Sequence, residues 1–147
     1  MKIAIANDHA AVEMKQEIME YLRELGHEVT DYGTNSHDSC HYPDFGEKVG
    51  RVVAAGEADC GVLICGTGVG ISIAANKVKG VRAAVCSEPT TARLVKELNN
   101  ANIIAFGARV IGPGLALQLL DIFLNTPFEG GRHAVRVEKM MALEQLD

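Results

Sequence analysis

Residues 61–77 read Gly61-Val62-Leu63-Ile64-Cys65-Gly66-Thr67-Gly68-Val69-Gly70-Ile71-Ser72-Ile73-Ala74-Ala75-Asn76-Lys77. The apolar run from Val62 to Ile64 is short and largely β-branched, which is typical of a buried strand. Cys65 stands where this strand stops. Three glycines at every second position follow it and lead into a helix-like run through Ala75. The pattern predicts a strand, a tight glycine turn and a helix in direct succession.

Such a turn suits an anionic ligand, because glycine lets a ligand approach the backbone and its row of N–H groups. The next helix adds unpaired N–H donors and the positive end of its dipole, a field that favours the thiolate form of Cys65. The pattern is neither the dinucleotide fingerprint nor the Walker motif. A buried cysteine also commonly serves as a small apolar side chain. On this stretch alone, a chemical role and a packing role for Cys65 both stay open.

Outward from this stretch, strands and helices alternate along the whole chain. We predict strands at residues 1–6, 27–32, 60–65, 81–86 and 101–106, and helices at residues 10–25, 44–55, from the glycine turn to 79, 89–99, 113–124 and 132–146. Five strands separated by helices predict one α/β, doubly wound, Rossmann-like domain over residues 1–147. Its five-stranded sheet is expected to be parallel, with helices on both faces.

The ligand crevice of a doubly wound sheet lies at the carboxyl ends of its strands. That rule brings several types of polar residue to one edge, which favours a functional site there. The residues concerned are Asp8, His9, Cys65 to Gly70, Ser87-Glu88 and Gly107-Ala108-Arg109.

Composition narrows the class of protein. The 147 residues are 48% hydrophobic and 22% charged, and the net charge of −5 with no basic run argues against a nucleic-acid partner. No apolar stretch reaches membrane-spanning length, and the N-terminus enters a strand directly rather than a secretory signal. Four cysteines without framework spacing fit free thiols in a reducing compartment. We therefore expect a cytoplasmic protein.

Three further groups of residues were weighed. Arg132 and Arg136 share one helical face and, with His133, could bind a phosphate, although the spacing alone favours a solvated surface face with ordinary salt bridges. Gly130-Gly131 suggests an arm that reaches a neighbouring subunit. His37, Cys40 and His41 are too few for a zinc site without further ligands, so we expect no metal. No serine-hydrolase elbow motif occurs.

Taken together, the motifs resemble those of the ribose-5-phosphate isomerase B family, which also contains allose-6-phosphate and galactose-6-phosphate isomerases. The likeness covers essentially the whole chain in order. It is carried by Asn7-Asp8-His9, Tyr42-Pro43, Cys65 to Lys77, Val85 to Pro89, Asn99, Ala101-Asn102, Phe106 to Arg109, and Gly130-Gly131-Arg132-His133.

The resemblance implies aldose–ketose isomerisation of a phosphosugar without a metal or organic cofactor, with ribose 5-phosphate and ribulose 5-phosphate as the default pair. In the family, the thiolate that matches Cys65 removes the proton beside the carbonyl, and loop N–H groups stabilise the cis-enediolate. By the same resemblance, Thr67 is expected to lie beside the reacting carbons. The roles of the thiolate as base and of the loop N–H groups agree with the chemistry of a thiol beside a helix N-terminus.

The resemblance also implies the binding residues. Asp8 and His9 are expected to contact sugar oxygens, and the loop donors are Gly66, Gly68, Val69 and Gly70. Asn99, Arg109, Arg132 and Arg136 are expected to hold the sugar and its phosphate from a partner subunit. The implied assembly is a homodimer or a dimer of dimers, with the C-terminal helix packed on the partner.

One position departs from the family pattern. The family's ring-opening histidine precedes the asparagine that matches Asn99, and Leu98 stands there in this chain. His41 and His9 are candidate substitute acids. His41 before Tyr-Pro resembles the galactose-6-phosphate branch, whereas Gly130-Gly131-Arg132-His133 is the ribose-type ending. The alternatives are the same chemistry on a hexose 6-phosphate or on a short-chain phosphosugar, or a catalytically idle phosphosugar-binding protein.

Overall fold

The computed structural model describes residues 1–146 and contains one five-stranded sheet. The strands are β1 (Lys2–Asn7), β2 (Glu28–Asp31), β3 (Cys60–Cys65), β4 (Ala83–Val85) and β5 (Ile103–Gly107). They lie in the order β2-β1-β3-β5-β4, and every neighbouring pair is parallel. The predicted parallel sheet of five strands is confirmed.

Helices follow the strands as expected. They are α1 (Val12–Glu24), α2 (Tyr42–Ala54), α3 (Val69–Asn76), α4 (Pro89–Glu97), α5 (Pro113–Asn125) and α6 (Arg132–Ala142), with short 3₁₀ turns at His9–Ala11 and Leu143–Gln145. Helix α2 begins two residues earlier than predicted, because a proline in the first turn loses no helical hydrogen bond. The last helix is shorter than predicted and ends at Ala142. Within residues 1–146, no helix combines the length and the apolarity needed to cross a membrane.

Helices cover both faces of the sheet, as predicted. Side chains alternate along each strand, so Ile3 and Ile5 point into one core and Ala4 and Ala6 into the other. The first core packs against α1, α4 and α5, and the second against α2 and α3. Cys65 belongs to the second core, so its sulfur points toward the face that carries α3.

Glycines bring α2 and α3 close together. A Cβ atom at Gly46 would lie 2.8 Å from the carbonyl oxygen of Ile71, and one at Gly50 would lie 3.2 Å from a methyl group of Val78. The two glycines are four residues apart and therefore share one face of α2. Their missing side chains allow the backbone of α3 to rest on α2, which fixes the direction in which α3 points its N-terminus.

A buried lysine ties α1 to the loop after β2. The Lys15 side chain has no exposed surface, and its ammonium group lies 2.9 Å from an Asp31 carboxylate oxygen. It also donates to the backbone oxygen of Thr34 and to Oδ1 of Asn35, both at 2.7 Å. All three ammonium donors are thus used, which is the condition under which a buried charge is tolerated.

Helix α6 lies beside the two layers rather than within them. Only His133 and Val137 of this helix are buried. Its end is held by a hydrogen bond from the Gly80 N–H to the Glu144 carboxylate (2.8 Å), whereas Val135 is 51% exposed. The expected packing of α6 on a partner subunit stays a prediction.

Candidate active site

The ends of β1 and β3 are joined at the carboxyl edge of the sheet. The backbone N–H of Asp8 donates to the carbonyl oxygen of Ile64 (3.1 Å), directly before Cys65. The Asp8 carboxylate is buried and accepts a hydrogen bond from the N–H of Ala10 (3.0 Å), which opens the turn that carries His9. In the sheet, β2 lies on one side of β1 while β3, β5 and β4 lie on the other, so the strand order reverses between β1 and β3. In a doubly wound sheet, this reversal point is where the ligand crevice forms.

Cys65 lies under the first turn of α3. Its sulfur accepts a hydrogen bond from the N–H of Gly68 at 3.1 Å, while the Thr67 hydroxyl accepts one from the N–H of Val69 at 3.2 Å. The sulfur thus receives an N–H at the N-terminus of α3, where a helix carries its unpaired backbone donors and the positive end of its dipole. The Gly68 donor therefore serves the thiol, rather than only the oxyanion that the sequence suggested.

Two glycines allow the loop to rest on the end of β5. Gly68 has a φ of +79°, and a Cβ atom there would lie 2.7 Å from the carbonyl carbon of Phe106. A Cβ atom at Gly107 would lie 2.5 Å from the carbonyl oxygen of Thr67. Any side chain at either position would push the loop off the strand and carry Thr67 and the helix start with it.

Arg109 adds positive charge at the same loop. Its N–H donates to the carbonyl oxygen of Gly66 (2.9 Å), and its guanidinium Nη1 would lie 3.2 Å from a Cβ atom at Gly66. The side chain of Arg109 is therefore held against the loop of its own chain. The turn after β5 returns directly to the loop after β3, which is why Arg109 contacts the loop of its own chain. The resemblance instead led us to expect this arginine from a partner subunit.

The ring of Tyr42 contacts the loop and was not among the predicted site residues. A Cβ atom at Gly70 would lie 2.7 Å from Cε1 of Tyr42, so the ring covers the start of α3. Tyr42 is 40% exposed, which leaves part of the ring toward the solvent side of the crevice. The Tyr-Pro pair was the available signal, since the proline begins α2 and places the preceding turn beside α3. His41 precedes Tyr42 and is exposed.

The other predicted binding residues lie at the opposite edge of the sheet. Helix α4 starts after β4 at the carboxyl edge and returns to the amino edge, where Leu98 ends it. Asn99 lines a cavity of about 430 Å³ together with Arg82 and Met141, next to the start of β4. The N–H of Glu129 donates to the oxygen of Glu97 (3.0 Å), so α6 and its Arg132 and Arg136 begin beside that end of α4.

The remaining thiols are in different surroundings. Burial raises the pKa of Cys60 and of Cys86 from the ordinary value of 9.0 to about 11, so both stay protonated near neutral pH. Cys40 lies 3.7 Å from a ring nitrogen of His9, and His37 pairs with Glu13. Of the three candidate metal ligands, His37, Cys40 and His41, the first two therefore contact different partners.

Comparison with known proteins gives one family. The family model described as Ribose/Galactose Isomerase matches residues 3–140. The chain is 51% identical to ribose-5-phosphate isomerase B of Escherichia coli over 98% of this chain and 97% of that protein. It is 50% identical to galactose-6-phosphate isomerase subunit LacB of Clostridium acetobutylicum over 88% and 75%. It is 43% identical to D-erythrulose-4-phosphate isomerase of Pectobacterium atrosepticum over 95% and 93%.

Solved structures agree with this family over nearly the whole length. The ribose-5-phosphate isomerase B of Clostridium thermocellum superposes with a TM-score of 0.97 at 52% identity, over 99% of this chain and 98% of that one. The ribose-5-phosphate isomerase B of Mycoplasma genitalium, solved with bound ribulose 5-phosphate, gives a TM-score of 0.96 at 40% identity over 99% and 97%.

Proposed function

The chain belongs to the ribose/galactose isomerase family, and from this membership we propose that it is an aldose–ketose isomerase of phosphosugars that needs no cofactor. Ribose 5-phosphate and ribulose 5-phosphate are the default pair, since the relative with 51% identity is a ribose-5-phosphate isomerase B. The observation that carries the proposal is the Cys65 sulfur under the Gly68 N–H, at the crevice beside Asp8. We infer a cytoplasmic location from the four free thiols.

In the proposed reaction, the Cys65 thiolate removes the proton from the carbon beside the carbonyl. The electron pair moves into the carbonyl oxygen and gives a cis-enediolate, whose negative charge is stabilised by N–H groups at the start of α3. The hydroxyl proton on the oxygen of the second carbon passes to the oxygen of the first carbon. The Cys65 thiol then returns its proton to the first carbon, the ketose carbonyl forms at the second carbon, and Cys65 is again a thiolate. Thr67 lies in the loop between base and helix, beside the carbons that exchange the proton.

Binding is divided among groups with different chemistry. Asp8 and His9 bind hydroxyl and carbonyl oxygens of the sugar at the end of β1. Arg109 of the same chain faces the loop and suits the phosphate, since its planar fork can make two parallel hydrogen bonds. Asn99, Arg132 and Arg136 complete the site only if a second copy of the chain brings its amino edge to this carboxyl edge.

We therefore propose a homodimer with shared sites, in which α6 packs on the partner. Apolar side chains near the loop support an interface there, because Val69 is 47% exposed and Ile73 is 53% exposed. Both lie on α3, so a partner that covered them would also close the crevice. The path of the chain supports the proposal of a shared site, since α4 ends and α6 begins at the amino edge.

Subunit mixing tests the shared site. A Cys65→Ala chain and an Arg132→Ala/Arg136→Ala chain are each expected to be nearly inactive. In a mixed dimer with two-fold symmetry, one of the two sites combines an intact Cys65 with intact arginines. Random mixing makes half the dimers mixed, so co-refolding is expected to restore about a quarter of wild-type turnover.

The matched control mixes Cys65→Ala with Arg109→Ala. Because Cys65 and Arg109 serve the site of the same chain, each site of that mixed dimer lacks one of them, and turnover stays low. Restoration in the control, or none in the first mixture, would contradict this division of residues. Sedimentation of each mixture verifies that dimers have formed.

The substrate is tested with a panel of aldose phosphates in deuterated water, followed by NMR. Ribose 5-phosphate, allose 6-phosphate and galactose 6-phosphate are compared with erythrose 4-phosphate. Turnover is expected with deuterium entering beside the carbonyl, since the proton passes through an exchangeable thiol. Binding without turnover of any of the four sugars would favour the idle phosphosugar-binding protein.

Leu98 is the observation that favours a short-chain phosphosugar as the substrate. The resemblance places a ring-opening acid there, and leucine cannot transfer a proton. An aldotetrose 4-phosphate needs no such acid, because its C4 oxygen carries the phosphate and no five-membered ring can close. Leu98→His is expected to raise the rate with ribose 5-phosphate and to leave the rate with erythrose 4-phosphate unchanged. An equal effect on both sugars would mean that ring opening does not limit the reaction.

A further inference from the structure

His9 makes a contact that determines where its proton is. Its Nδ1 atom lies 3.3 Å from the backbone N of Cys40, whose N–H points at it, and 3.7 Å from the Cys40 sulfur. A backbone N–H can only donate a hydrogen bond, so Nδ1 must accept it. A ring nitrogen that accepts carries no proton. The neutral ring of His9 therefore has its proton on the other nitrogen, Nε2.

The loop that carries Cys40 is anchored to the rest of the fold at both of its ends. At the start of the loop, the buried ammonium of Lys15 and the Nδ2 group of Asn7 both donate to the oxygen of Thr34, at 2.7 Å and 3.0 Å. At its end, the N–H of Asp44 donates to the oxygen of His41 (3.2 Å) as α2 begins. Cys40 therefore lies in a loop whose two ends are both anchored to the rest of the fold.

We propose that the backbone of Cys40 fixes His9 in the Nε2–H tautomer, so that His9 meets the substrate as a hydrogen-bond donor. Cys40 is then a positioning residue, which acts on the substrate only through the ring of His9. A donor at this point selects an acceptor oxygen, such as a phosphate, carbonyl or hydroxyl oxygen of the sugar. The identity of that acceptor rests on the proposed phosphosugar isomerase function, whereas the tautomer does not.

The tautomer is measured directly on the substrate-free protein. With ¹⁵N-labelled histidine, two-bond proton–nitrogen NMR spectra distinguish the two neutral tautomers, and the signals of His9 are those missing from His9→Gln. The spectrum is recorded at a pH at which this ring is neutral. A dominant Nε2–H tautomer is the expected result. A dominant Nδ1–H tautomer, or an even mixture, would overturn the proposal whatever the enzyme's substrate is.

Two variants at position 40 separate the backbone from the thiol. Cys40→Pro removes the N–H, and Cys40→Ala keeps it while removing the sulfur. The expected result is a mixture of His9 tautomers in the proline variant and the wild-type spectrum in the alanine variant. The KM of the proline variant is expected to rise about three- to tenfold relative to alanine, with a smaller change in kcat, as for the loss of one hydrogen bond. Wild-type tautomers in a folded proline variant would overturn the proposal.

A second pair remains decisive if the proline variant does not fold. The amide nitrogen of glutamine can occupy the place of Nε2, and that of asparagine the place of Nδ1. His9→Gln is therefore expected to have a KM about three- to tenfold lower than His9→Asn, since only glutamine keeps the donor toward the substrate. Equal KM values for the two variants, or a lower value for asparagine, would contradict a donor role for Nε2.

Discussion

Replacing Cys65 with serine is expected to lower kcat for phosphosugar isomerisation by about 10²- to 10⁴-fold, the range lost when a general base is removed. Serine fills nearly the same space and can accept the Gly68 N–H that now reaches the sulfur at 3.1 Å. Its hydroxyl, however, is a far weaker acid than a thiol and supplies almost no anion at neutral pH. The defect should appear in kcat, while the dissociation constant of the sugar phosphate, measured by calorimetry, changes little.

Cys60→Ala is the matched control, because Cys60 is a buried thiol at the other end of the same strand. Its pKa of about 11 keeps it protonated, so its loss should leave kcat within about twofold of the wild type. If Cys65→Ser kept a third or more of the wild-type kcat, Cys65 would not be the base. Another group in the crevice would then have to be the base, and Asp8 is the next candidate because its carboxylate is buried at the same edge.

Replacing Lys15 with methionine is expected to lower the free energy of unfolding by about 3 kcal/mol, the lower end of the range for a broken buried ion pair, because the Asp31 side chain that loses its partner is 21% exposed. Methionine has a similar length and stays apolar, so the loss is chiefly that of the charge and its three hydrogen bonds. The Asp31 carboxylate, the Thr34 oxygen and the Asn35 amide oxygen would all lose a buried donor. Urea unfolding at equal protein concentration measures the change.

Lys79→Met is the control for this variant, since Lys79 is exposed and its replacement is expected to change stability by less than about 0.5 kcal/mol. Lys15→Met should also weaken substrate binding, because Lys15 anchors the loop that carries Cys40. If Lys15→Met changed the free energy of unfolding as little as the control does, the hydrogen bonds of Lys15 would select the conformation of the loop without adding net stability.

Much of the fold follows from local patterns. Each strand was predicted within a few residues, because short apolar β-branched runs bounded by glycine or polar turns are typical of buried strands. The start of α2 is an exception, since this helix is predicted from residue 44 and the structure places Pro43 in its first turn. The shortened α6 is another, as the apolar residues after Ala142 continue the helical pattern without a core to bury them.

The candidate site was only partly within reach of the sequence. Asp8, His9 and the loop after Cys65 follow strand ends, so a rule about parallel sheets brings them together. The contact between Cys40 and His9 joins residues 31 positions apart through an irregular loop, and no periodic pattern marks it. The contact of Tyr42 with Gly70 depends on the close packing of α2 against α3, which the glycines on α2 allow.

The sequence by itself determined the order of strands and helices, the glycine loop and the thiol at its start, because these depend on neighbours within a few residues. Only the tertiary structure decided the contacts within the carboxyl edge, such as those of Arg109 and Tyr42 with the loop after β3, and the position of Asn99 and Arg132 at the other edge. Helices in this fold run back against their strands, so Asn99 and Arg132 lie at the amino edge and Cys65 and Arg109 at the carboxyl edge. That separation is a property of the chain's path, and it is the physical reason to expect a second copy in the active site.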